Sequence, residues 1–275
     1  MMNIIRADLF RIFRGKAVYI SFSIVVLLVL LTVFVFRVAP QTGVQVSTLD
    51  SEYSESIESF EDFVLGGDRV ITGADAAGMG LSSMDIMVFF FLPIISVVAL
   101  AMFSTGAIKN ELSNGLNRIK LYFSKLILSF VLSVIFMIAY LFMMILFASI
   151  FEGFGYWGDG LMLDVALSFA GLTLVTLAFC SVGIFMSFVF QRSGAVIGIY
   201  IALVFAPGMI IMLLAIAFPD VMDLLNFDLF TQYQFFSDIR SLEASELIRG
   251  IAVCLSFILV PTIAGISIFK RSEIK

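Results

Sequence analysis

Six stretches of this chain carry no Asp, Glu, Lys or Arg: 17–36, 86–108, 126–151, 165–191, 193–219 and 250–269, between 20 and 27 residues each. A helix needs about 20 apolar residues to cross about 30 Å of hydrocarbon. Each run is long enough to span, and together they leave no room for a large soluble domain in 275 residues. One such run is compatible with a buried core helix; six in one short chain are not. The expected fold is an all-α integral membrane protein with six transmembrane helices.

Composition narrows the function classes. Apolar residues make up 61% and charged residues 13%, with a mean hydropathy of +1.11. Soluble domains run nearer 45–50% and about 25%. A soluble enzyme, a disordered regulator and a nucleic-acid binder are therefore poor readings. The net charge of −5 offers no basic surface for phosphates. There is no histidine, which removes His-based acid–base catalysis and His-built zinc sites. Two cysteines make no disulfide scaffold. The first run has the basic flank of a signal peptide, but it exceeds the usual apolar length of about 7–15 residues. It reads as a retained helix.

Charge sets the orientation, because Lys and Arg collect on the cytoplasmic side of short loops. With the N-terminus inside, the inner segments hold 12 of the 16 basic residues and 3 of the 21 acids. The balance is +9 inside and −14 outside, which returns the total of −5. Both termini are expected to be cytoplasmic in a multi-pass plasma-membrane protein.

The segments between the spans have their own patterns. In 1–16, Ile5, Leu9, Ile12 and Phe13 fall on one helical face and Arg6, Arg11 and Arg14 are its cations. This suits an interfacial helix on anionic lipid. Outer loop 37–85 has an acidic first half, a short amphipathic pattern through Ile57, Phe60, Val64 and Leu65, and a Gly-rich remainder. Outer segment 218–249 mixes acids with many apolar residues, which predicts short helices shielded by protein. Inner loop 109–125 reads KNELSNGLNRIKLYFSK. Glu111, Leu112, Gly115, Leu116 and Arg118 belong to a short stretch with an apolar stripe. It reads equally as a docking element for a soluble partner and as an ordinary positive-inside loop.

Within the spans, Pro93, Pro207 and Pro261 each remove a backbone donor and predict a kink. Pro207–Gly208 is the expected hinge. Gly194 and Gly198 form a G-x-x-x-G pair that permits close helix contact, within the chain or with a second copy. Hydroxyls such as Ser129, Ser133, Thr176 and Ser181 replace ionisable groups, which argues against a proton-coupled pump. Cys180 and Cys254 read as packing residues. No G-x-x-x-x-G-K-[ST] loop, H-E-x-x-H or G-x-S-x-G motif occurs, so no catalytic, metal or ATP-binding residue is assigned.

The opening MNIIRADLFRIFRGK, the six spans, and the inner loop with Glu111, Gly115, Arg118, Tyr122 and Lys125 resemble the type-2 ABC exporter permease family. The long acidic outer loop is more similar to the peptide and lantibiotic-type branch of Gram-positive bacteria. The resemblance implies two permeases, identical or homologous, and two cytoplasmic P-loop ATPase subunits that bind ATP and Mg. It makes 111–118 the coupling helix and the cargo an amphipathic peptide, lipid-like molecule or hydrophobic drug. Membrane lipid is the other partner; nucleic acid is not. Competing readings are a membrane sensor or immunity protein for an antimicrobial, and an ATP-independent channel or secondary transporter.

Overall fold

The computed structural model describes residues 8–10, 12, 14, 16–42, 72–104, 106, 108, 117–156, 160–240 and 242–271. Among these residues there is helix and no strand. Residues 8–10, 12 and 14 are helical. They lead to α1 (Lys16–Thr42) and α2 (Gly73–Ser82). A 3₁₀ turn (Met84–Ile86), α3 (Met87–Ile95), a π-helical stretch (Ser96–Leu100) and α4 (Ala101–Ser104) follow without a break. Then come α5 (Arg118–Glu152), α6 (Leu161–Phe190), α7 (Ser193–Ala215), a 3₁₀ helix (Pro219–Phe227), α8 (Thr231–Ser237) and α9 (Ala244–Arg271).

Five helical stretches are long and apolar enough to cross a membrane: Met84–Phe103, Arg118–Phe151, Leu161–Phe190, Ser193–Ala215 and Ala244–Arg271. In the first helix the described apolar stretch is the shorter Tyr19–Phe34. The chain has the helices of a multi-pass membrane protein.

Helix α6 is the central post. Of its most apolar stretch 72% is buried, against 17% for α7. It packs on α3, α5, α7, α8 and, most extensively, α9. Small residues allow this approach: a Cβ at Gly183 would lie 2.2 Å from Ile95 Cδ1, and one at Gly171 2.5 Å from the Phe236 ring. Hydroxyls then link the helices. Ser181 Oγ meets Thr262 Oγ1 of α9 at 3.3 Å, and Thr176 Oγ1 meets Tyr233 Oη of α8 at 3.0 Å. Thr176 and Ser187 also bond carbonyls of their own helix, Leu172 and Gly183. Cys180 is buried 3.4 Å from Ser133 Oγ, and Cys254 is buried as well.

Three boundaries differ from the sequence reading. The inner loop was expected over 109–125, but α5 begins at Arg118, because Asn117 Oδ1 accepts the Ile119 N–H at 2.9 Å and caps the helix. Residues 73–82 were expected to belong to the Gly-rich remainder of outer loop 37–85, yet they form α2. Thr72 and Asp75 cap it reciprocally. Its first N–H groups, on Gly73 and Ala74, donate to the carbonyls of Gly153 and Phe154 at 3.1 Å each. In the outer segment expected over 218–249, the final helix already starts at Ala244, and the 3₁₀ helix and α8 are the short helices that the mixed pattern predicted. The amphipathic pattern at 57–65 lies outside the described residues.

Candidate functional site at the basic end of the bundle

The start of α5 sets the geometry. Its helical register puts Leu121, Lys125, Leu128 and Leu132 on one buried stripe. Lys125 therefore stands where an apolar residue is expected, and its side chain has no exposed surface. A buried ammonium needs a partner. The partner is Asp8, whose Oδ2 accepts from Lys125 Nζ at 2.6 Å. Ile12, one helical turn beyond Asp8, is buried in the core, while Phe10 and Arg14 face outward. Among the described residues before α1, Asp8 is thus clamped to the bundle by an ion pair, and Leu9 and Ile12 by apolar contact.

The next contacts fasten α9 to the same place. Tyr122 is fully buried, with its ring centroid 4.9 Å from that of Phe188, and Phe188 stands 4.7 Å from Phe269. Phe103 of α4 closes the group, 5.4 Å from Phe188. Gly265 makes room, because a Cβ there would lie 2.6 Å from the Tyr122 hydroxyl. Arg118 Nη1 donates to the carbonyls of Phe269 and Lys270 at 2.8 and 3.0 Å. Its guanidinium carbon lies 5.7 Å from the Phe269 ring centroid. Arg118 thereby places a cation at the C-terminal end of α9, where the carbonyls lack helical partners.

Of the sequence-predicted coupling residues, Arg118 is in this cluster. Glu111, Leu112, Gly115 and Leu116 lie outside the described residues. Pro93 sits inside α3, and the backbone widens into the π-helical stretch three residues later. Its missing N–H leaves the Phe89 carbonyl without the regular donor, a common origin of such irregularity. Pro261 lies inside α9. Gly194 and Gly198 are exposed on α7, and a Cβ at either meets nothing within 4 Å. They pack against no other helix of this chain among the described residues. Pro207, inside α7, lines an apolar cavity on the acidic side of the bundle, and Gly208 faces Asp228 across its edge.

Sequence reasoning missed the Asp8–Lys125 pair. The signal was available: with a helix start at Asn117, Lys125 falls on an apolar stripe, and an acid elsewhere must answer it. Among the described residues no group of three or more His, Cys, Asp or Glu can hold a metal ion.

A family model described as a protein of unknown function (DUF2705) matches residues 51–275. The chain belongs to the DUF2705 family. No curated protein matches it. The DUF2705 region contains α2 through α9, and so the Arg118–α9 contacts and the cavity beside Pro207. Asp8 and Ile12 precede it, so the clamp joins a segment outside the matched region to one inside.

Proposed function

We propose that this chain is the membrane subunit of an ATP-driven exporter, a permease that moves an amphipathic peptide, a lipid-like molecule or a hydrophobic drug out of a bacterial cell. Helix α1 is its first span, which makes six. Both termini are cytoplasmic, and the residues before α1 lie along the inner membrane surface. Segment 111–118 docks into separate cytoplasmic ATPase subunits, two per complex, which supply the ATP and Mg chemistry. A second permease, identical or homologous, completes the pathway in the plasma membrane.

The observation that supports this reading best is the fastening of the segment's C-terminal flank. Arg118 holds the end of α9, Tyr122 packs on the ends of α6 and α9, and Lys125 holds Asp8. A load applied to 111–118 therefore reaches the basic ends of three helices at once. An exposed inter-helix loop needs no such fastening.

The test is affinity purification of the tagged chain from its native membrane in mild detergent, with identification of what accompanies it. The expected result is a stoichiometric P-loop ATPase that is lost on Glu111→Lys. Arg118 is unsuited to that substitution because it also braces α9. Purification of the chain alone, with gentle crosslinking capturing no ATPase, would overturn the proposal.

A further inference from the structure

A cavity of about 270 Å³ opens on the flank of the bundle, on the side where the acids collect. Phe179 of α6, Val204 and Pro207 of α7, and Phe257 of α9 form its walls. Leu224 and Phe227 of the 3₁₀ helix border it and are 52% and 56% exposed, which makes them its rim. Asp228 is the one polar side chain among the lining residues. Ligand sites are mostly apolar concavities with few polar groups, about 300–1,000 Å³; this one shares the lining and lies just below that range, which limits it to a small ligand.

Asp228 is half-buried, and its Oδ2 accepts from the Thr231 backbone N–H and hydroxyl, both at 3.4 Å. Among the described residues no Lys or Arg forms an ion pair with it. Two cations on this side are engaged elsewhere, Arg240 with Asp164 and Arg249 with Glu246. Burial pushes the Asp228 carboxyl above the usual carboxylate range, against the opposing bonds from Thr231 and the neighbouring backbone. A cation arriving beside it relieves that cost and favours the charged form.

We infer that this cavity binds a small monocationic amphiphile, with the apolar body between α7, α9 and the 3₁₀ helix and the ammonium against Asp228. An aromatic or short alkyl body matches both the volume and the Phe-rich walls. The Phe rings among the lining residues can attract an ammonium further. The inference concerns binding by this chain alone. Neither ATP nor a second protein enters its test, so it and the exporter reading fail separately.

The experiment measures equilibrium binding of radiolabelled 4-phenylbutyltrimethylammonium to the full chain in phosphatidylcholine nanodiscs, with empty nanodiscs subtracted. The comparison probe is its neutral isostere, with a quaternary carbon in place of nitrogen. The expected result is saturable binding at one site, at least tenfold tighter for the cation. Asp228→Asn removes that preference and leaves the isostere unchanged. Leu224→Trp, at a half-exposed rim position, blocks both probes. Equal affinity for cation and isostere would make the cavity a seat for lipid acyl chains and overturn the inference. So would cation binding unaffected by Asp228→Asn, or by Leu224→Trp. If Asp228→Asn fails to fold, the isostere comparison and Leu224→Trp still decide.

Discussion

Lys125 Nζ lies 2.6 Å from Asp8 Oδ2, and the two side chains are 0% and 5% exposed. A pair this deep contributes little net stability compared with a well-packed apolar pair, because both charges lose their hydration. Removing one partner is different, since the other charge stays buried and uncompensated. Lys125→Met is expected to cost about 3–5 kcal/mol, and Asp8→Leu a similar amount. The double variant should recover most of that loss. Thermal unfolding of the four proteins in one detergent checks this. Additive single losses would mean that the pair is not coupled.

The less buried pair between Arg240 and Asp164 offers the contrast. Its side chains are 58% and 25% exposed. Water screens such a pair, and Arg240→Ala should cost less than about 1 kcal/mol in the same assay. A loss comparable with that of Lys125→Met would mean that burial does not set the difference.

Tyr122 and Gly265 make a second coupled pair. A Cβ at Gly265 falls 2.6 Å from the Tyr122 hydroxyl and 2.9 Å from its ring carbons Cε2 and Cζ. Gly265→Ala should cost about 1–3 kcal/mol through overpacking. Among the described residues, the buried Tyr122 hydroxyl has no hydrogen-bond partner. Tyr122→Phe should therefore hold or raise the melting temperature, and it should rescue part of the Gly265→Ala loss. A Tyr122→Phe protein that melts well below the parent would show that the hydroxyl has a bonding role.

Arg118 bonds two carbonyls at the end of α9. Arg118→Ala should destabilise by about 1–2 kcal/mol and speed amide exchange in the last turn of α9. Arg118→Lys should recover only part of this, because an ammonium lacks the planar guanidinium that lies over the Phe269 ring while its Nη1 bonds both carbonyls. Exchange confined to the start of α5 would locate the effect elsewhere.

Gly153 ends α5 with φ 85° and ψ 170°, a conformation essentially closed to other residues. Its carbonyl accepts the Gly73 N–H that opens α2. Gly153→Ala should cost about 1–3 kcal/mol and loosen α2 together with the end of α5. Protease susceptibility near residue 73 measures the second effect. An unchanged cleavage pattern would mean that α2 holds its place without this bond.

The long helices were legible because one physical requirement, uncharged length, marks them directly. Their ends were less so. Asn117 moved the start of α5 forward into what read as loop, and Thr72 with Asp75 made a helix from a glycine-rich run. In both cases a cap outweighed the composition around it. The T-x-x-D spacing at 72–75 was readable. The role of Asn117 was hidden by the charges around it, which read equally as a docking element and as a positive-inside loop.

The site was only partly readable. Arg118 was singled out for its charge at an inner loop, but its bonds to α9 join positions some 150 residues apart, and spacing alone does not reveal such a contact. The same holds for Asp8 and Lys125, and for Asp228 at the mouth of a cavity walled by four elements. By itself the sequence determined that the chain is helical and built of membrane-length apolar stretches, because hydrophobicity is a local property summed along the chain. The tertiary structure alone decided which charges are buried together, which glycines admit a neighbour and which leave a face of α7 open. Those outcomes depend on packing between segments distant in sequence, where one side chain's environment is supplied by residues far along the chain.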